Sequence, residues 1–533
     1  MSSYKKLTEH FKKISHFNHL SAICGWDQAS MMPSGGNQAR SEAMAELSVH
    51  IHKLMTQSEL GELFDKAGGE SLSTDESASL REMKRQWQQA NVLPEELVQA
   101  KSLAGSKCEH AWRSQRGKND WTGFEKNWAE VVKLSKEEAQ IRAESLGTTP
   151  YDAMLDLYEP GTTTESLNKT FSDVKEWLPG LIDEVIEKQK AESYIAPTGK
   201  FAVEEQKALG LEVMELLQFD FNHGRLDESV HPFCGGVPSD VRLTTRYDEN
   251  EFVQSLMGIV HETGHARYEQ GLPTSLAGLP AGEARSMGIH ESQSLFFEMQ
   301  VGRSDEFIKH LATKAAQHFN VEDPKVLSLG NFHKIYTRVE KGFIRVDADE
   351  LTYPAHVILR YEIERDLING VIKHTDVPEL WNQKMQAYLG LSTEGNFKNG
   401  CMQDIHWTDP KRTVITNSQS TDKKEKRLFK HNYKDGCMQD IHWCDGSFGY
   451  FPSYSLGAMY AAQFMASMKK TVDVDGAIRA GDLTPIFTWL SDNIWSKGSL
   501  LTTDDLVKQA TGEVLNPNFF KAHLENRYLR SQR

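Results

Sequence analysis

The pentapeptide His261-Glu262-Thr263-Gly264-His265 constrains this chain more than any other stretch of it. Residues four apart share one face of a helix, so the two imidazoles can grip one metal ion only if the segment is helical. Glu262 lies one step round the same turn, where its carboxylate can take a proton from a polarised water. A third ligand must come from elsewhere. Glu291, in His290-Glu291-Ser292, follows 26 residues after His265, enough chain to turn back and present a carboxylate from a second helix. The combination points to metal-assisted hydrolysis. The same pentapeptide could instead be an amphipathic helix with hydrogen-bonded, structural histidines. Its surroundings favour the metal: Phe252, Leu256, Ile259 and Val260 form an apolar stripe over a helix expected at 251–270. Asp248, Glu249 and Asn250 stand where a helix N-terminus favours acids and a cap.

The remaining composition is that of a large globular protein, with 39% hydrophobic and 25% charged residues in 533. A net charge of −15 disfavours nucleic acid or an anionic membrane as partners. The opening MSSYKKLTEHFKKISHF has no apolar targeting core, and no run of about 18 apolar residues appears, so a cytoplasmic location is expected. Six cysteines, none in a CxxC pair, are expected to be reduced thiols.

Most of the chain reads as helix: 36–66, 75–104, 120–146, 165–192 and 207–218 are rich in strong helix formers. Thr162 and Glu165 have the spacing of a capping box, and Pro94 with Glu95 and Glu96 that of a first turn. The one convincing strand is 240–247, which puts Asp240, Arg242 and Thr244 on one polar face. That row either lines a cleft beside the metal helix or is the solvated face of an edge strand. Further on, NFKNGCMQDIHW at 396–407 recurs as NYKDGCMQDIHW at 432–443, with a lysine-rich polar stretch between the copies. Two copies do not make a repeat architecture, and a tandem duplication is the simplest account.

Several blocks together resemble the carboxypeptidase Taq family of metallocarboxypeptidases, nearly end to end. They are Gly25-Trp26-Asp27-Gln28 with Met32-Pro33 and Arg40; Phe219-Asp220-Phe221 through His231-Pro232-Phe233; Asp240-Val241-Arg242-Leu243-Thr244; the HETGH and His290-Glu291-Ser292-Gln293 motifs; Arg345 to Glu350 with Thr352-Tyr353 and His356; and Gln439-Asp440-Ile441-His442-Trp443 running into Gly446-Ser447-Phe448-Gly449-Tyr450-Phe451-Pro452. The resemblance implies a mostly α-helical metallopeptidase fold, one domain over 1–533 with its catalytic part in 201–533. It implies a long deep cleft with a small antiparallel β-sheet beside the metal helix, and usually a homodimer. It implies release of single residues from peptide C-termini with broad preference, C-terminal proline being the poor case. His261, His265 and Glu291 would be the ligands of one divalent metal, zinc first and cobalt as a substitute, with Glu262 as general base and acid. Tyr450 or Tyr454, with His231 or His442 nearby, would donate to the oxyanion. Arg345, and second Arg242, would hold the substrate carboxylate, unless Arg242 is a structural partner of Asp240.

The family pattern has one QDxHW block and this chain has two. The continuation into GSFGYFPSYSLG favours the second copy as the docked one, leaving the first and its lysine-rich tail extruded as a loop; the opposite arrangement, first copy docked and second displaced, is the alternative. An internally cleaving oligopeptidase, or a metal-binding relative impaired by the duplication, are the alternatives.

Overall fold

The computed structural model describes residues 1–229, 232–321, 323–402, 443 and 446–530. Helices dominate these residues, and the largest core draws side chains from Cys108 to Tyr528. A smaller cluster joins Leu7 and Phe11 of helix Ser3–Ser30 to Leu60, Phe64 and Met83. The expected helix at 36–66 is two helices, Asn37–Met55 and Glu59–Gly68. That at 75–104 breaks likewise into Thr74–Asn91 and Glu95–Gly117, because Pro94 lacks the amide a continuing helix needs. The capping box falls one residue later than expected: Thr163 Oγ1 accepts from the Ser166 amide at 3.3 Å, and Glu165 sits in the first turn.

Three short strands flank the metal helix: β1 (Gly224–Glu228), β2 (Cys234–Val237) and β3 (Asp240–Thr245). The sheet is mixed rather than antiparallel, since β1 runs parallel to β3 and β2 antiparallel to it. β3 is its central strand, so the polar row is not a solvated edge. Thr244 is buried, its hydroxyl taking the Phe233 amide at 3.0 Å. Val241 and Leu243 on the other face pack with Ile259 and Ala266 of helix Val253–Gly271. That helix buries the expected stripe, Phe252, Leu256, Ile259 and Val260. Its start differs from the expectation: Asp248 turns back onto the Asn250 amide at 2.8 Å, and Glu251 accepts from Gln254 N at 3.0 Å. A carboxylate one residue closer to the helix meets the free amides more directly.

Helix Trp121–Leu146 meets both copies of the repeated segment. Trp121 and Trp128, two turns apart on one face, stack on Phe397 of the first copy and Trp443 of the second. Cys401 and Met402 are buried, and the Trp112 indole donates to the Met402 carbonyl at 3.0 Å. Trp443 is equally buried, its carbonyl taking the Trp128 indole at 2.8 Å and its own indole donating to Glu364 at 2.6 Å. The first copy is therefore not extruded as a whole: its leading half, Phe397–Met402, is docked, and the aromatic end of the second copy is docked too. The QDIH stretches of both copies, His442 included, and His231 lie outside the described residues.

Candidate active site

His261 and His265 project from one face of helix Val253–Gly271, their rings 5.0 Å apart. Glu291 comes from helix Met287–Leu295, with one carboxylate oxygen 3.4 Å from His265 Nε2. The three side chains can bring their ligand atoms within 4.8 Å of one another. Two glycines make this convergence possible. A Cβ on Gly264 would stand 2.6 Å from the Gln293 carbonyl oxygen, so the metal helix meets the Glu291 helix backbone to backbone. A Cβ on Gly457, in helix Pro452–Met468, would stand 2.8 Å from Glu291 Cγ. Glu291 is thus wedged between two helices, with little room for another rotamer.

The donor set fits a divalent cation of zinc's kind: two imidazoles and a carboxylate from two helices, with the outer face of one imidazole already committed. That commitment is Glu298, two turns beyond Glu291, whose carboxylate accepts from His261 Nδ1 at 2.8 Å and leaves Nε2 for the ligand position. Arg303 holds the other oxygen of Glu298 at 2.6 Å. Burial alone would raise the Glu298 pKa, but Arg303 and His261 bring it down to about 2, so it stays an anion. Burial would lower the pKa of His261, yet its bond to Glu298 and the nearby Glu291 push it up to about 10, and a bound cation would have to displace that proton. Burial brings His265 down to about 4, favouring the neutral imidazole a metal requires. Glu262 rises to about 7, chiefly by desolvation and partly by Glu291, against the pull of His261. A carboxylate poised there can take and return a proton near neutrality.

On the other side of Glu291 stands an aromatic wall. Tyr450 meets Tyr158 and Tyr454 at ring distances of 5.0 and 5.2 Å. The Arg345 guanidinium lies 4.7 Å over Tyr454 and donates to the Tyr353 hydroxyl at 2.7 Å. Burial, with Glu291 contributing, raises the pKa of Tyr353, Tyr450 and Tyr454, so all three keep their protons. Gly449, at φ +99°, makes the turn that presents Tyr450; a Cβ there would strike the Met154 carbonyl carbon at 2.8 Å. Arg242 is placed differently. It forms a two-point ion pair with Asp240, at 2.5 and 2.8 Å, and stacks 4.5 Å over Trp26.

Comparison with known proteins bears on this arrangement directly. The family model for the carboxypeptidase Taq (M32) metallopeptidases matches residues 6–411 and 427–528. The chain belongs to this family. Carboxypeptidase 1 of Bacillus subtilis is 35% identical over 528 residues, covering 98% of this chain and 97% of the relative. Thermostable carboxypeptidase 1 of Thermus thermophilus is 35% identical over 541 residues, with 99% and 98% covered. Among solved structures, Trypanosoma cruzi metallocarboxypeptidase 1 superimposes with a TM-score of 0.90 at 44% identity, covering 99% of each chain. This M32 protein is accordingly a metallocarboxypeptidase, a peptide hydrolase that works with a divalent metal. No helix among its described residues is long and apolar enough to cross a membrane.

Sequence reasoning brought His261, Glu262, His265 and Glu291 together, and the structure does so too. It missed Glu298 and Arg303. The available signal was the seven-residue step from Glu291 to Glu298, which returns a carboxylate to the same side of a helix.

Proposed function

We propose that this M32 metallocarboxypeptidase releases single residues from peptide C-termini with broad preference, C-terminal proline being poorly accepted. In this reading His261, His265 and Glu291 hold one zinc ion, which cobalt can replace. The observation that carries the proposal is the placement of a buried guanidinium, Arg345, across the tyrosine wall from the three-ligand cluster. An exopeptidase needs a cation at a fixed distance from its reacting centre to find the substrate's free carboxylate, and an internally cleaving enzyme does not.

When bound, the metal acidifies a water and polarises the scissile carbonyl. Glu262 accepts the proton of that water and delivers it to the departing amine. Tyr450 and Tyr454, protonated across the working range, donate to the developing oxyanion. Glu298 holds the His261 ring in its orientation, so the ligand nitrogen does not swing as charge builds. Arg345 anchors the carboxylate, with Tyr353 fixing the guanidinium. Arg242, committed to Asp240 and Trp26, serves this reading as a structural bridge between the sheet and helix Ser3–Ser30. The family likeness also supports a homodimer of single-domain protomers, and the free thiols of Cys24 and Cys234 suit a reducing cytoplasm.

Mass spectrometry of a digested peptide tests the proposal. A ladder losing one C-terminal residue at a time, abolished by a chelator and restored by zinc, is expected. Internal fragments without a ladder would reverse it.

A further inference from the structure

We propose that Arg527 is a positioning residue for the metal site, fixing the π-helical turn that carries Glu298 and, through it, the ring of His261. This rests on the metal-site reading above.

Glu298 belongs to the segment Phe296–Gly302, wound in π-helical form, with the Arg303 amide bonding the Glu298 carbonyl five residues back at 3.1 Å. Such turns are rare, and they persist where surrounding contacts over-determine them. The end of this one leaves a carbonyl to be satisfied: the Arg303 amide serves Glu298 and the Ser304 amide serves Val301, so neither serves Met299. Arg527 does. One nitrogen, Nη1, donates to the Met299 carbonyl at 2.5 Å and to Glu350 Oε2 at 2.8 Å.

Glu350 is itself buried and takes two further donors, the Tyr528 hydroxyl at 3.1 Å and His523 Nε2 at 2.5 Å. It stands in sequence between Arg345 and Tyr353, on the segment that presents the carboxylate anchor. Arg527 therefore ties that segment to the residue next to Glu298. The Glu298 side chain is gripped by Arg303 and the carbonyl of the next residue, Met299, by Arg527, and the two grips together leave the Glu298 carboxylate little freedom beside His261. The segment Asn518–Arg530 docks through Phe520, Leu524 and Tyr528, all fully buried, and the Arg527 guanidinium adds the polar tie between Met299 and Glu350.

The test measures zinc affinity by competition with a chromophoric chelator, and the visible spectrum of the cobalt-loaded protein, in the full chain. The variants are Arg527→Met, Arg527→Lys and a control, Leu524→Ala, which loosens the adjoining helix without removing a hydrogen bond. Arg527→Met is expected to weaken zinc binding about 10–100-fold, as loss of an outer support does, and to shift the cobalt spectrum. Arg527→Lys keeps a donor and is expected to recover part of both. Leu524→Ala is expected to lower the melting temperature while zinc affinity stays within about twofold, as for uncoupled sites. Zinc affinity that falls equally in Leu524→Ala, or stays at the wild-type value in Arg527→Met, overturns the proposal. Should Arg527→Met not fold, wild-type affinity and spectrum in Arg527→Lys overturn it. A wild-type protein that takes up no zinc refutes the metal-site reading instead.

Discussion

Gly457→Ala is the smallest change that addresses the geometry of the site. The added methyl would stand 2.8 Å from Glu291 Cγ, 2.9 Å from Cβ and 3.1 Å from the Glu291 carbonyl carbon. Against an ordinary carbon–carbon contact the deficit is at least about 0.7 Å, and two of the three atoms belong to the Glu291 side chain. The helix that carries Glu291 already has Gly264 against its Gln293–Ser294 backbone, so it cannot retreat without moving helix Val253–Gly271 and its histidines. Functional constellations tolerate displacements of roughly 0.5 Å, so the clash exceeds what the site can absorb. Two stability effects oppose each other: overpacking costs about 1–3 kcal/mol, and alanine gains about 1 kcal/mol over glycine within a helix. A modest net destabilisation is expected, with a loss of zinc affinity of at least about tenfold, the scale on which metal sites respond to lost support. Competition with a chromophoric chelator reads the affinity and thermal unfolding of the metal-free protein reads the stability. Wild-type zinc affinity and wild-type turnover in Gly457→Ala would show that the two helices do not meet at Glu291, and the reasoning would fail there.

Glu262→Gln is expected to lower turnover by about 10²–10⁴-fold while zinc content stays at one per chain, measured by single-turnover kinetics and metal analysis. Arg345→Lys is expected to raise KM for peptides with a free C-terminus and to leave amidated peptides as poor as before; equal losses on both would remove the carboxylate from its role. The Glu350 carboxyl would be raised by burial, but Arg527, His523 and Arg303 outweigh that and hold it well below the ordinary carboxylate range. Its contribution is therefore present above the unfolded-state pKa of about 4.3 and lost as pH falls toward the folded value, so Glu350→Gln should flatten the acid limb of the stability–pH curve. Deleting residues 403–438 joins the docked Met402 through Gln439-Asp440-Ile441-His442 to the docked Trp443, leaving one intact block. Turnover at or above that of the full chain is expected, and a folded but inactive deletion would show that the added segment takes part in the site.

Local chemistry was legible where a residue's role is set by its neighbours in sequence. The His261–His265 step, the buried stripe through Leu256 and Ile259, and the first turn after Pro94 all follow from helix geometry and a missing amide, although the helix expected at 75–104 ran through that proline. Non-local chemistry was not. Whether β3 is a central or an edge strand depends on β1 and β2, and Gly224 in β1 with Gly235 and Gly236 in β2 gives both a weak strand propensity. The fate of the duplication hinged on Trp121 and Trp128, far away in sequence, each taking an aromatic from a different copy. Glu298 and Arg527 were invisible for a related reason: an outer support is defined by what it touches, and spacing alone does not distinguish it from any other helical charge. Arg242 shows the reverse, since its two-residue distance from Asp240 already suggested the ion pair that the strand forms.

In the proposed function this chain is a metal-dependent exopeptidase built on His261, His265 and Glu291. Incubation of the full chain with a defined peptide, with metal content measured on the same sample, tests it most directly. One zinc per chain and a chelator-sensitive ladder from the C-terminus are the expected result. A ladder that survives complete removal of metal, or a zinc-loaded protein that cuts only internally, would contradict it.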